Sequence, residues 1–303
     1  MELSNKEFHL LSRYIYDLSG IVLGESKSYL IRQRLEPIVE TVGCRSFLEF
    51  YERIQEDALP RIEEQIINAI TTNETSFFRD GHPFVAFKDH ILPWLGRRIR
   101  QRKARDRPRS GPKVSIWSAG ASTGQEPYSL AMLIREYAQA NSHLGILKED
   151  FGLLATDISS EALSKAMVGR YTKIEMNRGL STDRVEKYFA EEGNHWVIKS
   201  PMRNMVDFRQ VNLIKPFATL GAFDVILCRN VLIYFDISVK NRIIHQFYEM
   251  LSEDGFLFLG VTENLYTILE RSDGFESIRH GDTLIYKKPL QRESNLPDSP
   301  GLP

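Results

Sequence analysis

The sequence is short of cysteine, of long apolar runs and of net charge, and each shortage excludes a class of protein. Cys44 and Cys228 are the only cysteines among 303 residues, and neither belongs to a C-x-x-C pair. Two distant thiols cannot build a disulfide framework, so a reducing, cytoplasmic setting is the simplest expectation. The longest apolar stretch, VILCRNVLIYF, is broken by Arg229 and Asn230 and is too short to span a bilayer. The start, MELSNKEFHLL, carries acids and no apolar core, so it does not read as a signal peptide. A formal net charge of -1 argues for neither a nucleic-acid partner nor membrane insertion. Also missing are G-x-G-x-x-G, a Gly-Lys-Ser/Thr phosphate loop, a Ser-His-Asp set, a carboxylate dyad and a metal-ligand motif.

What is present is ample for a large core: 42% of residues are hydrophobic, and the length suggests about two domains. Residues 1–70 read as a small all-helical domain. NKEFHLLSRYIYDLSG sets Phe8, Leu11, Tyr14, Ile15 and Leu18 on one face and stops at Gly20. KSYLIRQRLEPIVETVG repeats the pattern, with Pro37 predicting a kink or two abutting helices. SFLEFYERIQ and LPRIEEQIINAIT are two further helices. Residues 71–96 connect to the rest, and 97–113 form a basic run read as a helix tail plus a solvated loop, with an anionic contact as the sharper alternative.

From Val114 short apolar runs alternate with helical segments: VSIWSAG, FGLLATDI, MVDFRQVNL, FDVILCRNVLIYF and GFLFLGV. This predicts an α/β architecture, a doubly wound, mostly parallel sheet over 114–288. FESIRH and TLIYKK, separated only by Gly281-Asp282, predict a closing antiparallel hairpin. A β-hairpin subdomain is expected as an insertion at about 188–208, and the polar, Pro-rich tail 289–303 is expected to be disordered.

Ligands bind beyond the carboxyl ends of the strands in such sheets. After the first strand, SAGASTGQEP uses Gly120 and Gly124 to turn into a helix whose free N–H groups face that region. After the second stands Asp157, which suits a ribose diol but could equally be an N-cap for a helix starting near Ser159. After the third, Asn212-Leu213 offers an amide and an apolar side chain for a purine, or a plain loop turn. At the end of the fourth, Arg229-Asn230 interrupts an apolar run at a cost of several kcal/mol unless partners satisfy it. The set fits adenosine without phosphates and so points to S-adenosylmethionine. A carboxylate acceptor, with a free pKa of about 4.3, would need no general base, only alignment and desolvation.

The segment TTNETSFFRD, residues 71–80, reads as a glycosylation sequon, a helix cap or the lip of a pocket. The sequon lacks a secreted context. With WSAGASTGQEPYSLA, ATDIS, FRQVNL and CRNVLIYF, this segment resembles the ordered motifs of the CheR-type chemotaxis protein-glutamate O-methyltransferases. The resemblance covers everything but the tail. It implies the class I S-adenosylmethionine-dependent methyltransferase fold and methyl transfer to glutamates of chemotaxis receptors, without a metal. It also implies that Asn73, Thr75 and Arg79 contact the methionine end of the cofactor, with Phe77 and Phe78 anchoring the segment. Glu126 would accept from the cofactor's amino group, Asp157 would hold the ribose, and Asn212 and Leu213 would meet the adenine. Arg229 and Asn230 would line the floor, with Gly120 at the glycine turn. Tyr234 would stand near the transferred methyl, and Arg79 would steer the incoming glutamate. Thr75 or Ser76 as a helix cap, with Glu74 exposed, is the plain alternative for the segment.

Some positions depart from the family pattern. Ala121 and Gln125 vary the glycine motif. The second helix keeps Lys27, Arg32 and Arg34, but Glu36, Pro37 and Glu40 dilute them, and acids outnumber bases over 1–70. The inserted hairpin carries only Gly193, which predicts receptor docking without a tether peptide. A non-catalytic S-adenosylmethionine-binding adaptor and a methyltransferase of another protein or a small carboxylic acid are the competing readings.

Overall fold

In the computed structural model, which describes residues 1–56, 60–105, 111–269 and 274–290, strand side chains alternate between two apolar layers. Ile116, Leu153, Val225, Leu227, Phe256, Phe258 and Ile285 face one layer, whereas Trp117, Leu154, Ile226, Leu257, Leu259 and Tyr286 face the other. Both faces of the sheet are therefore covered, and that is why its strands read as continuous apolar runs.

The strands of the main sheet are β1 (Val114–Ala119), β2 (Phe151–Asp157), β6 (Val206–Gln210), β7 (Phe223–Cys228), β8 (Leu251–Leu259), β9 (Glu276–His280) and β10 (Thr283–Lys287). Their order is β6-β2-β1-β7-β8-β10-β9. The first five are parallel, and β10 runs antiparallel to both β8 and β9. The chain winds outward in both directions from β1, so the strand order reverses between β1 and β7. Gly281, with φ 56°, makes the expected tight turn of the closing hairpin.

Four helices form the N-terminal layer among the described residues: α1 (Asn5–Ser19), α2 (Ser28–Val42), α3 (Phe47–Glu56) and α4 (Pro60–Ile70). Ser4 and Glu7 form a capping box at the start of α1, and Gly20 ends it in the left-handed conformation. A core of its own, including Phe8, Leu11, Ile31, Leu35, Phe47 and Phe50, holds this layer together. A single helix runs through Pro37, so the expected division into two abutting helices does not occur.

α5 (His82–Ala86) continues through a π-helical segment, Phe87–Ile91, into α6 (Leu92–Arg105). Much of the basic run is thus helix, and three of its cations find carboxylates within the fold. Asp224, 2% exposed, accepts from Arg98 at 2.9 Å and from both terminal nitrogens of Arg102 at 2.7 and 2.9 Å. Lys103 donates to Asp150 at 2.6 Å. Residues 106–110 of the run, and the tail from 291, lie outside the described residues.

The remaining helices are α7 (Gln125–Ala140), α8 (Ser160–Val168), α9 (Lys173–Met176), α10 (Thr182–Tyr188), α11 (Ser200–Arg203), α12 (Ile237–Met250) and α13 (Leu265–Ile268). The expected hairpin is present as β4 (Phe189–Glu192) and β5 (His195–Ile198), but it is not alone. β3 (Arg170–Thr172) pairs with β5, giving a three-stranded antiparallel sheet in the order β3-β5-β4. Three residues flanked by helices carry too little alternation to announce a strand. Among the described residues no helix is long and apolar enough to cross a membrane.

Candidate functional site

The reversal of strand order opens a pocket above the tips of β1, β2 and β7, roofed by residues 70–75 and Arg79 and walled by the segment after α1. It brings together every site residue expected from the sequence: Asn73, Thr75, Arg79, Gly120, Glu126, Asp157, Asn212, Leu213, Arg229, Asn230 and Tyr234.

The roof is pinned at several points. Arg34 donates to the carbonyls of Ala69, Ile70 and Thr71 at 3.3, 2.8 and 3.1 Å, closing the C-terminal end of α4 where the roof begins. Phe77 is fully buried, its ring 5.0 Å from Tyr171 and 5.5 Å from Phe189. Burying such a side chain stabilises by about 1.5–3 kcal/mol, so the small sheet holds the roof down. Phe78 is only partly buried and carries the Arg184 guanidinium over its ring at 4.3 Å. No helix starts at Thr75 or Ser76; α5 begins beyond Gly81, so the cap reading fails, although Glu74 is exposed as expected.

At the tip of β1 the backbone doubles back. Gly120 and Gly124 have φ of 80° and 95°, which favours glycine, and a Cβ on Gly120 would lie 2.3 Å from Val231 Cγ2. Asp157 then receives two backbone amides, Ser122 N at 2.8 Å and Ser159 N at 2.9 Å. The N-cap of α8 is Ser159, whose hydroxyl accepts from Ala162 N, so Asp157 is not a helix cap. Burial pushes the Asp157 carboxyl above its ordinary 3.8, with the two amides pulling it back.

Arg229 and Glu126 are not open floor residues. Arg229 donates to Glu126 Oε2 at 2.8 Å, to Asp80 Oδ2 at 2.7 Å and to the Arg79 carbonyl at 2.9 Å. Ser118 fills the other Glu126 oxygen at 2.8 Å. These partners offset much of the cost of burying the Arg229 charge and bind roof to floor, while its buried Nε has no partner among the described residues. A carboxylate has four lone-pair positions, so Glu126 keeps capacity for a ligand amine. Asn212 likewise has a structural task, donating to the Leu18 carbonyl at 2.8 Å and accepting from Ile214 N at 3.2 Å.

Sequence reasoning missed the wall supplied by Ile21–Leu23, Lys27 and Leu30. Its location follows from tertiary contacts such as Val22 N to the Tyr234 carbonyl at 2.9 Å, and Gly20 was the only local signal. Also missed was Glu263, a buried carboxylate behind the Asn230 turn. Cys228 beside that turn is buried, and burial raises its thiol well above the usual range, so it does not compete as a nucleophile.

The donor set fits an adenosyl sulfonium: a buried carboxylate for a diol, short polar groups and a cation under the roof, and no phosphate cradle. Comparison with known proteins agrees. Residues 73–279 match the family profile described as "CheR methyltransferase, SAM binding domain", and residues 6–71 match "CheR methyltransferase, all-alpha domain". "Chemotaxis protein methyltransferase 1" of Pseudomonas aeruginosa is 38% identical over 288 residues, covering 95% of this chain and 99% of that protein. "Chemotaxis protein methyltransferase" of Vibrio anguillarum is 36% identical, covering 94% and 98%. The Escherichia coli protein of the same name is 34% identical, covering 89% and 88%. The chain belongs to the CheR family of S-adenosylmethionine-dependent methyltransferases.

Proposed function

We propose that this enzyme methylates glutamate side chains in the cytoplasmic part of chemotaxis receptors, giving glutamyl methyl esters. The observation that carries the reading is the Arg79 guanidinium. Among the described residues it has no carboxylate partner and donates only to the Glu74 carbonyl at 2.9 Å, at the lip of a pocket suited to the methyl donor. A cation left without a counter-ion beside the transfer centre is suited to steering a carboxylate inward.

When bound, S-adenosylmethionine supplies an electrophilic sulfonium methyl. Asp157 would accept the ribose hydroxyls, Asn212 and Leu213 would flank the adenine, and Asn73, Thr75 and Glu126 would meet the amino-acid end. The receptor glutamate is already ionised at neutral pH, so no residue here has to remove a proton. The bound donor would give its methyl to one carboxylate oxygen by in-line displacement, with the carbon–sulfur electron pair returning to sulfur as the neutral thioether. Arg79 and Tyr234 would orient the acceptor, and the roof would exclude water. The short β4–β5 turn, which carries only Gly193, supports docking that needs no tether peptide.

The test is incubation with labelled methyl donor and receptor cytoplasmic fragments, scored for alkali-labile label. Arg79→Ala is expected to abolish label while leaving the fold intact, and normal turnover by that variant would overturn the site assignment. Tight binding of a tether-type peptide would refute tether independence.

A further inference from the structure

We infer that Glu263 is a positioning residue that shapes the acceptor side of the pocket by fixing the turn from Asn230 to Tyr234. The inference rests on the methyl-transfer reading for its effect on rate, though not for its effect on the turn.

Four backbone amides converge on this one carboxylate. Oε2 accepts from Asn230 N at 2.8 Å and Gly260 N at 2.7 Å, and Oε1 accepts from Val231 N at 2.9 Å and Ile233 N at 3.2 Å. The need for such an acceptor is local. Beyond the end of β7, Asn230 takes a left-handed φ of 58°, and Val231 begins a short 3-10 turn, Leu232–Tyr234, that has no side-chain cap of its own. Amides at the start of such a turn lack intrachain partners and point the same way, so a negative charge placed there satisfies several at once. Glu263 reaches them from the segment after β8, the strand paired with β7.

A second observation shows that the slot is built for this contact. A Cβ on Gly260 would lie 2.6 Å from Glu263 Oε2 and 2.8 Å from Asn230 N, so any side chain there would force the carboxylate and the turn apart. Asn230, Val231 and Tyr234 line the pocket, whereas Glu263 does not. Tyr234 is held on its other side by Val22 N, so the turn is gripped from both directions. Glu263 thus acts through the residues it holds. Its loss misplaces Tyr234 and the Asn230 edge while leaving Asp157, Asn212 and the roof to bind the donor.

The test uses two variants of the full chain, Glu263→Gln, which keeps the side-chain volume but turns donors towards donors, and Gly260→Ala. Hydrogen exchange at residues 230–234 is expected to rise about tenfold or more in folded variants, with residues 118–124 unchanged. Turnover on receptor fragments is expected to fall about 10- to 100-fold, the size of effect that a misplaced reacting geometry produces. The dissociation constant for S-adenosylhomocysteine should rise by less than turnover falls, because Asp157, Asn212 and the roof keep their places even where the Asn230 edge shifts. Unchanged exchange, or equal losses of affinity and turnover, overturns the inference. If the unmodified enzyme binds S-adenosylhomocysteine but esterifies no carboxylate, the functional reading fails, and the exchange measurement still decides the role of Glu263.

Discussion

Arg229 and Glu126 meet at 2.8 Å beneath the roof of the pocket, with the Arg229 side chain 1% exposed. The same guanidinium holds Asp80 at 2.7 Å, so a single buried cation joins β7, α7 and the roof. Removing one member of such a set leaves an uncompensated charge out of water. Arg229→Ala is expected to destabilise the fold by about 3–5 kcal/mol and to weaken donor binding by releasing the roof. Urea unfolding with and without S-adenosylhomocysteine measures both effects.

Asn230 separates two explanations of one residue. Its φ of 58° suits asparagine or glycine whatever the ligand, and the residue also lines the pocket. Asn230→Gly keeps the turn and removes the amide, whereas Asn230→Ala strains the turn as well. If the amide binds the donor, both variants lose about 10-fold in affinity or more, the worth of one good hydrogen bond. Full affinity in the glycine variant would assign the residue to the backbone alone.

Asp157 predicts a pH dependence. Its folded carboxyl lies above 3.8, so as pH falls through that raised value it protonates and can no longer accept both hydroxyls of a diol. Donor affinity should therefore fall by up to about tenfold per pH unit below it. The stability contribution has the opposite sign. The folded state binds the proton more tightly than the unfolded chain, so this contribution is present at low pH and is lost as pH rises through the folded value. Calorimetric titrations and melting curves against pH, with Asp157→Asn as the reference, test both signs.

Arg34 predicts an effect remote from the pocket floor. Its three carbonyl bonds close the end of α4, and Arg34→Ala is expected to cost about 1.5–3 kcal/mol and to slacken the root of the roof. Arg32 is exposed on the same helix, and its alanine variant should stay within about 0.5 kcal/mol of the parent. Parallel thermal melts of the two variants give the comparison.

The strand runs, the closing hairpin and the glycine turn were legible because each depends on a local rule: alternation, a two-residue turn, a left-handed backbone. The positions of Asp157 and Asn230 at the pocket follow from the ends of their strands, whereas Asn73 enters through the family resemblance. The rest depends on which distant groups meet. Nothing near Glu263 in sequence announces four incoming amides, and nothing near Arg34 announces the carbonyls it closes. Arg229 was read as a site residue because it breaks an apolar run, but its carboxylate partners lie 103 and 149 positions away. β3 was missed because three residues cannot display a period.

The cluster at Asp224 bears on any map of surface potential drawn from residue counts. Three cations of the basic run, Arg98, Arg102 and Lys103, pair with two carboxylates, Asp224 and Asp150, so two of their three charges are cancelled before solvent or a partner meets them. That face therefore attracts polyanions less than its composition implies. Any ionic-strength dependence of partner capture should originate at cations left without a carboxylate partner among the described residues, the half-buried Arg79 among them.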